Sequence, residues 1–243
     1  MFVWRNLPPI FRRASRCTNP GRQAVDTQQL IDRLNSRDSL ERGAAVDAMV
    51  TDGTRNIEAL YPLLNDPDGV VRFKVACALA EWDDDRGLPV LIGALPIREL
   101  CFMALEALYL LAAPQAVTEL KRFFGRRFLH PIERLQAAAA LVRSGEPSAL
   151  NFIRERLSSR RPDERGMAIE LWGRLRQPDA RPLLEAILAD PHDAQRLDAV
   201  RGLERLNDPR SLALLDRVAA DTQDEQLAEA ARTAANIIRR LNE

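Results

Sequence analysis

Residues 63–80 read LLNDPDGVVRFKVACALA, and this stretch decides the fold. The Asp-Pro-Asp-Gly run at its centre predicts a turn, because Pro and Gly interrupt a helix and an Asp side chain caps the next one. After the turn, Arg72, Ala76 and Leu79 are spaced by four and then three residues. That spacing puts the three on one face of a helix. The stretch therefore predicts the end of one short helix, a turn and the start of a second helix.

The same pattern returns along the chain. Apolar positions of the first helix recur every 29–33 residues, at Leu30, Leu60, Leu91, Leu120, Ile153, Leu184 and Leu215. Near the start of the second helix an arginine recurs, at Arg42, Arg72, Arg98, Arg134, Arg165 and Arg196, and Leu227 takes the seventh place. Seven residues after each come Met49, Leu79, Leu105, Leu141, Trp172, Leu203 and Ala234. The period predicts an array of helical repeats, and the missing two-residue alternation predicts no strand.

Each repeat is expected to hold two helices. The predicted first helices are 24–35, 55–65, 86–95, 115–124, 147–158, 179–189 and 210–220. The predicted second helices are 39–50, 69–82, 97–112, 131–143, 162–175, 193–206 and 224–241. Because so short a unit cannot bury its apolar faces alone, the units should stack on one another. We predict a basic N-terminal arm over residues 1–23 and a single repeat domain over residues 24–243.

The quoted stretch resembles the HEAT-repeat pattern, and residues 187–203, ILADPHDAQRLDAVRGL, repeat it. It is most similar to the short bacterial variety called phycobilisome-lyase-type HEAT-like repeats. The resemblance covers roughly residues 24–241 and implies an all-α, right-handed α-solenoid of about seven two-helix HEAT-like repeats. It implies no particular activity, since this fold hosts scaffolds, adaptors and a few enzymes.

Composition excludes several classes of protein. Lys and Arg number 35 and Asp and Glu 35, so bulk charge does not predict a chain that coats nucleic acid or membrane. No apolar run approaches the roughly 18 residues of a membrane span. The three cysteines lack C-x-x-C spacing, which argues against a disulfide framework or a cysteine zinc site and favours a reducing, cytoplasmic location.

The N-terminal segment is basic and partly apolar. Residues 1–22 contain five arginines and no acidic residue, and Phe2, Val3, Trp4, Ile10 and Phe11 accompany them. The segment lacks the continuous apolar region and cleavage site of a signal peptide. It is either an amphipathic anchor for an anionic surface or partner, or an arm that packs its aromatic side chains on the first repeat.

Repeat four departs from the pattern, because residues 123–131 insert aromatic and basic residues between its helices. Residues 121–161 contain ten basic and three acidic residues. Apolar anchors rimmed by charge are typical of binding sites. We predict a partner-binding surface at Arg126, Arg127, Phe128, Arg134, Arg160 and Arg161. The alternatives are an insertion that fills a packing gap and ordinary solvated helix faces.

The recurring arginines have two interpretations. Stacked side by side, they would form a row of guanidinium groups that binds phosphates or an acidic chain. Alternatively each would pair with an acidic residue of its own or the adjacent repeat. Acidic residues in suitable turns are Asp66, Asp68, Asp163, Asp190 and Asp193.

Signatures of catalysis are missing from the sequence. His130 and His192 are the two histidines, and neither precedes a Glu, so the di-iron site of deoxyhypusine-hydroxylase-type HEAT proteins is not expected. No phosphate loop, nucleophile elbow or dinucleotide fingerprint occurs. Trp172 falls on a core position. We therefore predict no catalytic, cofactor or metal site.

The predicted function is a non-enzymatic adaptor or scaffold. It would present a concave surface, formed mainly by the second helices, to a protein partner with an acidic segment. One alternative is a nucleic-acid-binding HEAT protein of the DNA-glycosylase type, which would bind through the same basic surface. Another, implied by the lyase-type resemblance, is a lyase or chaperone accessory subunit that acts on a partner protein. The oligomeric state is not predicted.

Overall fold

The computed structural model describes residues 27–243, so the predicted N-terminal arm lies outside the described residues. The described part contains fourteen α-helices and no strand, which confirms the all-α prediction. The chain divides into two compact units, unit 1 ending at Gly125 and unit 2 beginning at Arg126. The single repeat domain over residues 24–243 stays a prediction.

Unit 1 contains the first seven helices. They are α1 (Thr27–Leu34), α2 (Ser39–Asp52), α3 (Ile57–Leu60), α4 (Gly69–Glu81), α5 (Leu88–Ala94), α6 (Arg98–Leu111) and α7 (Val117–Phe124). The second helices α2, α4 and α6 contact one another in that order. Arg42 pairs with Asp66 just before α4 begins, and Asp47, further along α2, pairs with Lys74, further along α4. The two helices therefore run parallel and in register.

Unit 2 contains the other seven. They are α8 (Pro131–Arg143), α9 (Leu150–Arg156), α10 (Pro162–Arg174), α11 (Ala180–Ala189), α12 (Arg196–Leu206), α13 (Leu212–Asp221) and α14 (Glu225–Asn242). The second helices α8, α10, α12 and α14 again contact one another in order. The backbones of α10 and α12 approach closely, since a Cβ atom on Gly173 would lie 2.2 Å from the carbonyl oxygen of Gly202.

The recurring apolar positions form the core of both units. All seven first-helix positions, from Leu30 to Leu215, are fully buried. All seven second-helix positions, from Met49 to Ala234, are buried as well. Trp172 is buried among them, and its indole N–H donates to Asp179 Oδ1 at 2.9 Å. The predicted period is therefore confirmed as the period of burial.

Polar residues start the second helices. The Asp68 carboxylate accepts the N–H groups of Val70 and Val71 at 2.7 and 3.3 Å, and Asp38 accepts that of Leu40 at 2.9 Å. These bonds satisfy N–H groups that have no partner within the helix. Gly53 ends α2 with φ of 72°, a left-handed conformation that favours glycine.

Several first helices are shorter than predicted. The segments Pro114–Ala116, Pro147–Ala149 and Pro209–Ser211 form 3-10 turns, so the α-helices that follow begin two or three residues later than predicted. The predicted helix over residues 55–65 is also wrong in part, because α3 is followed by a 3-10 segment, Tyr61–Asn65. Pro62 lies in that segment and cannot donate a backbone hydrogen bond, which favours the tighter winding.

Candidate functional site

The connection that leads into α8 exposes an aromatic ring. Phe128 is 93% exposed, the largest exposed fraction among the large apolar side chains of the described residues. The guanidinium carbon of Arg127 lies 5.5 Å from the centre of the Phe128 ring, a cation–π contact. The imidazole of His130 then accepts the N–H of Ile132 at 3.3 Å and caps α8.

Arg134 holds this connection in place. Its Nη2 atom donates to the carbonyl oxygen of Arg126 at 2.5 Å, and the N–H of Leu129 donates to the same oxygen at 3.4 Å. The Nε atom of Arg134 is buried and has no hydrogen-bond partner among the described residues. The Arg134 side chain is therefore directed into the protein, where it positions residues 126–128.

Arg160 and Arg161 occupy the corresponding connection of the next repeat, just before α10. Both are exposed. Arg161 pairs with Glu164 at 3.0 Å, whereas Arg160 makes no hydrogen bond or ion pair with any residue of the described range. Since α9 contacts both α8 and α10 and reverses the chain between them, the two connections lie at the same edge of unit 2. We call Arg126, Arg127, Phe128, Arg160 and Arg161 the Arg/Phe edge.

Two acidic side chains near this edge are already engaged. Glu155 accepts from Arg156 at 2.6 Å, and Glu146 accepts the hydroxyl of Ser148 at 2.5 Å. The Arg156 guanidinium also stacks on Phe152, 3.8 Å from the ring centre. This stacking was not predicted from the sequence, although the four-residue spacing on a helix could have indicated it. The positive charge of residues 121–161 is therefore only partly compensated locally.

The recurring arginines are mainly structural. Arg165 donates to both oxygens of Asp193 at 2.7 and 2.6 Å, and Arg42 binds Asp66 in the same bidentate way. The hydrogen bond from Arg165 holds the pKa of Asp193 below its usual value. These two arginines confirm the predicted pairing across adjacent repeats.

At other recurring arginines, backbone carbonyl groups accept the hydrogen bonds in place of carboxylates. Arg72 donates to the carbonyl oxygen of Asp66 at 2.6 Å, and Arg196 donates to that of Leu188 at 3.0 Å. Asp190, a predicted arginine partner, instead accepts the N–H of His192 at 2.9 Å. The prediction of an acidic partner for every arginine is therefore wrong at these positions, because the preceding helix end offers carbonyl oxygens that lack helical partners.

Comparison with known families identifies the repeat. A family model described as HEAT repeats matches residues 27–99 and 150–236, which together make up more than half of the chain. The chain belongs to the HEAT-repeat family. No curated protein matches this HEAT-repeat chain.

Solved structures agree on the fold. The chain is similar to a chain of the complex of CpcE and CpcF of phycocyanin lyase from Nostoc sp. PCC7120, with 19% identity and a TM-score of 0.58 over 94% of this chain and 96% of that chain. Human deoxyhypusine hydroxylase in complex with glycerol has 18% identity and a TM-score of 0.39 over 87% of this chain and 95% of that chain. The phycobilisome-lyase-type resemblance is thus confirmed for the fold, and the second similarity is too low to support an argument.

The HEAT-repeat core of unit 2 contains a carboxyl cluster that the sequence analysis missed. Glu170 on α10 is buried, and Arg201 Nη1 on α12 donates to Glu170 Oε1 at 3.0 Å and to Asp198 Oδ1 at 3.1 Å. Burial raises the pKa of Glu170 to about 7 even with Arg201 beside it. Burial also raises the pKa of Asp198. The sequence signal for this cluster was the acidic residue five positions after Arg165, which lies between two core positions of the repeat.

Unit 1 has a comparable pair. Glu81 on α4 and Glu106 on α6 lie close enough that burial, and then the charge of Glu106, raise the pKa of Glu81 to about 8. Glu81 Oε1 is buried without a hydrogen-bond partner among the described residues. Cys77 and Cys101 are buried in the same unit, as expected for small core side chains.

Metal centres and membrane spans have no candidate in residues 27–243 of the HEAT-repeat chain. Within that range, no three His, Cys, Asp or Glu side chains are grouped so that they could hold a metal ion. Nor does any helix in the range combine the length and the apolar character needed to cross a bilayer.

Proposed function

We propose that this protein is a non-enzymatic adaptor or scaffold that binds an acidic segment of a partner protein at the Arg/Phe edge. The observation that supports this most is Phe128, an aromatic side chain that is 93% exposed and directly preceded by two arginines. Aromatic residues and Arg are enriched at protein interfaces. The proposed location of the protein is the cytoplasm.

The chemistry of the edge suggests what the partner contains. Burial of a side chain the size of Phe128 contributes roughly 1.5–3 kcal/mol. Arg127 contacts that ring and can also donate to a carboxylate, so an apolar partner residue next to Asp or Glu fits both groups. Arg160 has no internal acceptor among the described residues and would bind a second carboxylate.

Arg134 has a different role in this proposal from the one predicted by sequence. Because it donates to the carbonyl oxygen of Arg126, it positions the edge rather than contacting the partner. Arg161 is also engaged within the protein, since Glu164 already accepts one of its N–H groups. The partner contacts are therefore assigned to Arg126, Arg127, Phe128 and Arg160.

The test selects peptides from a displayed random library on the full chain and measures their affinity by fluorescence anisotropy. We expect acidic peptides with an aromatic or aliphatic residue, and a loss of at least about tenfold in affinity for Arg127→Glu/Phe128→Ser. The matched control is Arg240→Glu/Leu241→Ser, which changes an exposed arginine and an exposed leucine at the end of α14.

Two results would contradict the proposal. One is selection of peptides without acidic residues, and the other is equal binding by the edge variant and the wild-type protein. If the protein instead binds nucleic acid, it should retard DNA in a gel at low salt. The edge variant should abolish this retardation, and added salt should weaken it steeply. That alternative and the lyase or chaperone accessory role stay predictions.

A further inference from the structure

Unit 1 exposes a row of apolar side chains at the start of its second helices. Leu40 is 80% exposed, Val70 56% and Ile97 44%. Leu40 and Val70 are the second residues of α2 and α4, and Ile97 directly precedes α6. These three are the large exposed apolar side chains that unit 1 shows among the described residues. All three lie within two residues of the start of a second helix, which distinguishes them from scattered surface residues.

The three side chains are neighbours. The Arg42–Asp66 and Asp47–Lys74 pairs fix the register of α2 against α4, and this register places Leu40 beside Val70. Helix α6 contacts α4 as α4 contacts α2, so the starts of the three second helices lie at the same edge of unit 1. Packed helices lie about 8–10 Å apart, so the row repeats at that interval over three helices. We call Leu40, Val70 and Ile97 the apolar row.

Carboxylates accompany the apolar row. Asp38, Glu41 and Glu99 are exposed, and Asp68 caps α4 beside Val70. Arg42 and Arg72 of the same edge donate to Asp66 and to backbone carbonyl groups. Counted together with Asp66 these carboxylates number five, against the four guanidinium groups of Arg37, Arg42, Arg72 and Arg98. The surface therefore fits a segment that is both apolar and basic.

We propose that residues 4–13 of the same chain bind the apolar row. Trp4, Leu7 and Ile10 recur at every third position, and Arg5, Arg12 and Arg13 lie among them. An extended segment with three residues per turn rises about 3.1 Å per residue, so side chains three positions apart point the same way about 9 Å apart. That interval matches the helix spacing of the row.

The chain is long enough for this contact. Helix α1 begins at Thr27 and runs antiparallel to α2, so its start lies at the edge opposite Leu40. Its eight residues span about 12 Å, and residues 11–26 reach about 50 Å when extended. Ile10 then binds at Leu40, Leu7 at Val70 and Trp4 at Ile97. Arg12 and Arg13 come close to Asp38 and Glu41.

The experiment uses site-specific photo-cross-linking in the full-length protein. p-Benzoylphenylalanine replaces Leu7, the sample is irradiated, and the cross-linked peptides are mapped by mass spectrometry. We expect a cross-link within residues 69–73. A variant that also carries Val70→Asp, at an exposed position, should lose most of the cross-link. A mixture of ¹⁵N-labelled and unlabelled chains separates contacts within one chain from contacts between two.

Each result decides the proposal. A cross-link at residues 69–73 within one chain that Val70→Asp removes supports it. A cross-link to any other segment, a cross-link between two chains, or none at all overturns it. As a control, benzoylphenylalanine in place of Asn6 should cross-link less to residues 69–73, because Asn6 is out of phase with the three apolar positions. Peptide binding at the Arg/Phe edge is measured separately, so failure of one proposal leaves the other standing.

Discussion

Gly173→Ala tests whether the contact between α10 and α12 depends on glycine. A Cβ atom there would lie 2.2 Å from the carbonyl oxygen of Gly202, whereas ordinary contact begins at 3.4 Å. The two backbones must therefore separate by about 1.2 Å, the difference between those distances. Neither atom belongs to a flexible side chain, so rotation cannot relieve the overlap. The movement would loosen the packing of Trp172 and Leu203.

The expected cost follows from two opposing effects. Overpacking of a core typically destabilises by about 1–3 kcal/mol, and a backbone overlap should lie near the upper value. Replacing glycine by alanine inside a helix stabilises by roughly 0.5–1 kcal/mol. We expect a net loss of about 2 kcal/mol, which lowers Tm by roughly 4–8 °C for a chain of this length.

The assay is thermal and urea unfolding followed by circular dichroism. Gly93→Ala is the matched control, because Gly93 lies in α5, is exposed and would gain a Cβ atom that no side chain or neighbouring helix approaches within 4 Å. It should raise Tm by roughly 1–4 °C. Equal midpoints for Gly173→Ala and the wild-type protein, or equal losses in both variants, would refute the close helix contact.

Three further outcomes are expected. Asp193→Ala should lower the urea midpoint, because it leaves the part-buried Arg165 without its bidentate acceptor. Since the folded pKa of Glu170 is raised to about 7, folding becomes less favourable as pH rises from about 4.5 to 7, and Glu170→Gln should flatten this decline in urea midpoints measured from pH 5 to 8. Arg134→Met should accelerate trypsin cleavage after Arg126, because the bond to its carbonyl oxygen is lost.

Each variant has a control. Asp216→Ala breaks the exposed pair with Arg239 and should shift the midpoint less than Asp193→Ala does. Glu229→Gln changes an exposed carboxylate and should leave the pH dependence unchanged. Arg217→Met, on the exposed face of α13, should not alter cleavage at residue 126. Equal effects in a variant and its control would contradict the corresponding argument.

The repeat and its core could be predicted because burial follows a regular period. Leu30 and Leu184 lie far apart in sequence, but both take the same place in a helix pair, and both are fully buried. The bounds of α8 were predicted to the residue, because Pro131 opens the helix and Gly145 follows its end. Pro62 was visible too, but sequence patterns do not distinguish a short α-helix from a 3-10 segment.

The partners of polar groups were harder to predict. Arg134 and Arg196 bind backbone carbonyl oxygens, and every residue has one, so no residue type marks the acceptor. Burial of Glu170 depends on how α10 is rotated against α12. The apolar residues four and seven positions after each arginine do not determine whether a residue between them is buried. At the Arg/Phe edge, the insertion and its aromatic residue were visible in the sequence, whereas the supporting role of Arg134 is visible only in the structure.

Lysine is scarce in this chain, with Lys74 and Lys121 as its two examples. Lys74 Nζ lies 2.5 Å from Asp47 Oδ2, across the contact between α2 and α4. An amine-selective reagent can modify this nitrogen only when the ion pair opens. The acetylation rate of this single native residue would therefore report, without any engineered label, how often the ion pair between two adjacent repeats opens.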